Sequence, residues 1–154
     1  MDFRIAGLDP KPFQPLFELS DAELARRRAL RRVVDSQPGA PCRVALRDVP
    51  LGSEVILLNY EHLPVDSPYR ASHAIYVSAA REPFDALNVV PQALRDRLLS
   101  VRAFDAHGSM IDADIAEGAV AEPLIERLLG LPSAAYLHAH FARRGCFAAR
   151  IERA

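Results

Sequence analysis

His138 and His140 stand two residues apart in the run Tyr136-Leu137-His138-Ala139-His140, where polar and apolar residues alternate. Residues i and i+2 of a strand point to one face and lie about 7 Å apart. Two imidazoles so placed could converge on a metal ion, with further ligands from His62, His73 or Cys146. Metal-assisted hydrolysis is the chemistry such a centre would support. The competing reading is a polar sheet face with no metal. The spacing is short and recurs by chance, so the sheet face is the stronger expectation.

Three further groups carry chemistry. Cys146 follows Gly145 and falls diagonally across from His140, which would serve as the base a nucleophilic thiol needs. Cysteine is also a common small buried hydrophobe, and burial is the favoured expectation. The segment from His62 to His73 concentrates Tyr69, Arg70, Ser72 and His73 between two apolar strands. Arg70 with Ser72 suits a carboxylate or phosphate, unless the loop only satisfies its own backbone through turns at Asp66 and Ser67. Arg150 is expected to face His138, with Arg102 on a neighbouring strand. Two arginines beside two histidines would attract a small anion. Ordinary pairing of these arginines with Glu152, Asp112 and Asp114 is the alternative, and the expected one.

Strands must position these side chains. The last hairpin spans 135–142 and 146–153 around Arg143-Arg144-Gly145, and alternation pairs Phe141 with Phe147, Ala139 with Ala149 and Leu137 with Ile151. Before it, 99–105 and 109–115 flank Ala106-His107-Gly108, a three-residue loop ending in glycine. That loop sets Ala103 opposite Ile111, Val101 opposite Ala113 and Arg102 opposite Asp112, a cross-strand ion pair. Residues 42–49 read as a half-buried strand with Cys42, Val44 and Leu46 inward and Arg43 and Arg47 outward. Residues 54–61 read as a central strand and 73–79 as another.

Helices are expected in three places. Ser20 and Glu23 form a capping-box pattern that opens one running to about Ala29. A short helix follows Pro91 to Leu99, and an amphipathic one covers 120–131. Residues 1–19 read as an arm, in which Phe3 and Ile5 alternate before Pro10, Pro12 and Pro15 forbid regular structure.

Composition bounds the rest. The 154 residues are half apolar and a quarter charged, as expected of one globular domain over 1–154. Nineteen basic and 20 acidic residues leave a net charge of −1, which gives nucleic-acid binding no support despite the Arg26 to Arg32 cluster. No signal peptide and no apolar run of ~18 residues is found, so a cytoplasmic protein without membrane association is expected. Two distant cysteines read as free thiols there, although a Cys42–Cys146 disulfide is not forbidden. No glycine-rich phosphate loop or other cofactor motif is present.

Several stretches together resemble a bacterial family known only as domain-of-unknown-function family 1203. They include Phe3-Arg4-Ile5, Pro41-Cys42-Arg43-Val44, Val55-Ile56-Leu57-Leu58-Asn59-Tyr60 and Ser67-Pro68-Tyr69-Arg70-Ala71-Ser72-His73. The resemblance continues through Leu98 to Asp105, Asp112-Ala113-Asp114 and Tyr136-Leu137-His138-Ala139-His140 into Gly145-Cys146-Phe147. It spans nearly the whole chain and implies a single domain without an assigned activity.

The expected fold is α+β, an antiparallel meander-rich sheet with two or three helices on one face. The leading functional expectation is a pocket for a small polar or anionic molecule, lined by Tyr69, Arg70, Ser72, His73, His138 and Arg150. His138 or Cys146 would act in it if it catalyses a reaction. The alternatives are a metal site at His138 and His140, and a non-catalytic homodimeric interaction module.

Overall fold

The computed structural model describes residues 1–154. Nine strands and three helices follow in the order β1 Phe3–Ala6, α1 Asp21–Arg26, β2 Ala29–Val33, β3 Glu54–Leu63, β4 Ala71–Val77, β5 Asp85–Leu87, α2 Gln92–Arg95, β6 Leu98–Phe104, β7 Met110–Glu117, α3 Glu122–Leu129, β8 Tyr136–Phe141 and β9 Phe147–Arg153. They form an α+β domain with two antiparallel sheets. One has six strands in the order β5-β1-β9-β8-β6-β7, the other three in the order β2-β3-β4.

Alternation explains the layers. Val101, Ala103, Leu137, Ala139 and Ile151 line one face of the six-stranded sheet, and all are buried. Ile125, Leu128 and Leu129 of α3 and Leu94 of α2 close over them in the main core. The opposite face carries Arg102, His138 and Arg150 in one cross-strand row. The three-stranded sheet packs over part of that face. Its own core joins Ile56, Ile75 and Val77 to Leu24 of α1 and to Phe13 and Leu16 of the N-terminal segment. Ser20 and Glu23 make the expected capping box at the start of α1.

Several local expectations fail for tertiary reasons. Residues 1–19 are not merely an arm, because β1 pairs with both β5 and β9 and buries Phe3 and Ile5 in the main core. Residues 42–49 are not a strand. They make a tight turn closed by the Leu46 N–H donating to the Cys42 carbonyl at 2.9 Å. Leu46 there adopts a positive φ of 50°. Arg43, expected outward, is 2% exposed.

Three β-bulges reset the faces. A bulge adds one unpaired residue to a strand and re-aims the residues beyond it. In β7 the loop closes as expected, with Gly108 at φ +80° and the Asp105 N–H on the Ser109 carbonyl. Phe104 then pairs with Met110 and Ala103 with Asp112, which leaves Ile111 extra. Everything beyond slips by one, and Arg102 faces Ala113 rather than Asp112. Asp112 and Asp114 turn to the helix side and pair with Arg127 of α3. In β9, Leu137–Ile151 and Ala139–Ala149 pair as expected, but Ala148 is extra and His140 meets Phe147. Phe147 therefore leaves Phe141 and joins the histidine face. In β3, Glu61 pairs with Ser72 and Leu63 with Ala71, so His62 is the unpaired residue.

Candidate functional site

The bulge at His62 lets two consecutive side chains reach the six-stranded sheet. Leu63 packs with Phe104 and Tyr136. His62 lies flat on Phe147, ring centroids 5.2 Å apart and planes within 8°. Its ring is also 5.1 Å from that of His140 and 6.0 Å from that of His138, and those two are 6.3 Å apart. The two sheets thus meet at a triangle of imidazoles. His138 and His140 are each 2% exposed.

All three rings are neutral at pH 7. Burial pushes His62 down to about 4, with the charges of His73 and Arg102 adding to it. Burial likewise pushes His138 and His140 down to about 3. The Gly145 carbonyl, 2.9 Å from His140 Nδ1, opposes that shift. That Nδ1–H donates to it, which leaves Nε2 as the acceptor. The Nδ1 atoms of His62 and His138 are buried with no hydrogen-bond partner.

Arg102 stands beside His138 across the β6–β8 pair. Its Nε donates to Ser100 Oγ at 3.2 Å, and the bulge at Ile111 has taken Asp112 away from it. Partial burial lowers its pKa, and its charge bears on all three histidines. Arg150, on the other side of His138, is satisfied: it lies 3.8 Å over the Tyr136 ring and pairs with Glu152 at 2.6 Å.

The 62–73 segment does reach the last hairpin, but through His62 and Leu63. Arg70 pairs with Glu61 through two hydrogen bonds of 3.2 and 3.0 Å. Ser72 is exposed opposite Glu61. Tyr69 is 42% exposed. Ser67 bonds the Gly108 carbonyl and the Tyr69 N–H, as a loop satisfying itself would. His73 pairs with Tyr60 at the exposed rim, and its charge reaches His62 and His140. Of Tyr69, Arg70, Ser72 and His73, only His73 bears on the triangle.

Cys146 packs in the main core. Its Sγ accepts from Arg43 Nη2 at 3.1 Å. Arg43 also donates to the Phe147 and Pro41 carbonyls at 2.7 and 2.6 Å and lies 4.8 Å over the Phe141 ring. Sequence pattern carried no sign of this clamp. Both cysteines are free. No group of three or more His, Cys, Asp or Glu side chains is arranged to hold a metal ion. No helix is long and apolar enough to cross a membrane.

The chain belongs to the family described as protein of unknown function DUF1203, whose model matches residues 39–153. That span includes every residue of the imidazole triangle as well as Arg43 and Arg102. No curated protein and no solved structure matches the chain.

Proposed function

We propose that the junction between the two sheets binds a small anion, a carboxylate or phosphate, anchored by Arg102. The observation that carries this reading is a partly buried guanidinium with no carboxylate partner beside three neutral imidazoles. A cationic group sheltered from water without a counter-charge favours an anion from solution. His73 at the rim adds a polar contact from the three-stranded sheet.

Binding fits the electrostatics better than proton transfer does. A general base works best with a pKa near the operating pH. An imidazole at about 3, as at His138, is a weak base at pH 7. A bound anion would lift the neighbouring imidazoles back toward their ordinary range, so binding takes up protons and tightens as pH falls.

Titration calorimetry with inorganic phosphate and with malonate tests this. Saturable binding that weakens with salt and drops about tenfold in Arg102→Gln is expected, the size of one charge-assisted contact. Affinity indifferent to Arg102→Gln, or to pH between 7 and 5.5, would refute the reading.

A further inference from the structure

A cavity lies apart from the imidazoles, where the N-terminal segment crosses the three-stranded sheet. Its volume is about 340 Å³, inside the range of roughly 300–1,000 Å³ usual for small-molecule sites. Leu8, Pro12, Phe13 and Leu16 form one wall, and Ala29 and Leu58 the other. Three separated stretches of chain build it, and a hydrophobic residue stands at most of its surface.

Its polar groups are few and differ in kind. Asp9 already accepts from the Lys11 N–H at 3.0 Å. Arg27, just past the end of α1, is the only cation of the lining. Nearby Arg31 takes Asp21 and Glu54, whereas Arg27 has no such partner. Glu23, one turn earlier, is held in the capping box by Ser20 and feels the Arg27 charge without pairing directly with it. Tyr60 forms part of the inner wall. Its hydroxyl has no hydrogen-bond partner, and burial raises its pKa, which keeps it a donor.

We infer that this cavity binds a small amphipathic anion, with an apolar body between the N-terminal segment and the sheet and its charged head on Arg27. Apolar walls supply most of the affinity and the Arg27 guanidinium, which has no direct ion pair, selects the sign of the head group. The Tyr60 hydroxyl offers the head a second donor. This site is independent of Arg102, which lies on the other sheet.

Calorimetry on the full chain with octanoate and octylammonium as probes is decisive. The expected result is saturable octanoate binding, octylammonium weaker by about tenfold or more, and a loss of about tenfold for octanoate in Arg27→Gln, largely restored in Arg27→Lys. Arg27 is exposed, so these variants keep the fold whatever becomes of a cavity-filling Leu58→Trp, which should abolish binding. With saturating malonate present to occupy the junction at Arg102, Arg102→Gln should leave octanoate affinity at the cavity unchanged. Absence of saturable octanoate binding, equal binding of the two probes, or a loss in Arg102→Gln in place of Arg27→Gln would overturn the inference.

Discussion

The imidazole of His62 stacks on the ring of Phe147, and each is brought there by a bulge. His62 is the unpaired residue of β3, and the extra Ala148 in β9 moves Phe147 opposite His140. The contact joins the two sheets at the centre of the candidate site. His62 therefore holds the sheets together as well as shaping the site.

Replacing His62 with alanine should destabilise the protein by ~1–3 kcal/mol, the range for losing a packed aromatic contact at a partly buried position. His62→Phe should cost less, because it keeps the stack and removes a buried Nδ1 that has no partner. Urea unfolding of the three proteins measures both. Equal loss in the two variants would mean the stack carries none of the stability.

Arg43 invites a different substitution. Its guanidinium meets three diverging acceptors, the Phe147 and Pro41 carbonyls and Cys146 Sγ, at 2% exposure. A lysine carries the charge but not the fork, so Arg43→Lys should not rescue. Loss of this clamp should cost on the order of 2–5 kcal/mol in Arg43→Ala, because it leaves two buried carbonyls unpaired and opens a cavity. Thermal unfolding of Ala and Lys variants side by side checks it. Wild-type stability in Arg43→Lys would show that charge alone suffices.

The alternation of residues made the two sheet faces of the last hairpin legible, and with them the row Arg102, His138, Arg150. Capping chemistry located α1, and Gly108 and Gly145 marked their turns. What could not be read were the three extra residues, His62, Ile111 and Ala148. A bulge is set by how a strand fits its neighbours, and nothing in the local residue types distinguishes a bulged residue from a paired one. Each one changed the site: Ile111 separated Arg102 from Asp112, Ala148 moved Phe147, and His62 turned inward. The same limit hid Arg43, since Cys42 to Val49 alternates like a strand but folds as a turn hydrogen-bonded to Leu8, Tyr76, Phe84, Ala93 and Phe147.

Strand β7 is an edge of the larger sheet, where a second chain would have to pair. Asp112 and Asp114 each accept from the N–H of the following residue at 2.8 Å, which engages donors a second chain would use. Ile111 and Ile115 are 37% and 61% exposed on the same strand. Asp112→Thr with Asp114→Thr should therefore promote concentration-dependent association, visible by sedimentation velocity. A double variant that sediments like the native chain at every concentration would show that these carboxylates do not guard the edge.

The buried histidines also fix how stability varies with pH. In the unfolded chain each imidazole titrates near 6.5. In the folded protein His62 titrates at about 4 and His138 and His140 at about 3. Between those values the unfolded state binds more protons than the folded one, so stability rises with pH across the window. The contribution is complete above pH 6.5 and is lost progressively as pH falls toward 4 and then 3. Near pH 5, unfolding should take up roughly three protons from these groups alone, read from the slope of unfolding free energy against pH. His138→Phe should shed about one of them. A slope unchanged by that substitution would mean His138 is already protonated in the folded protein, and that its environment is wetter than its 2% exposure implies.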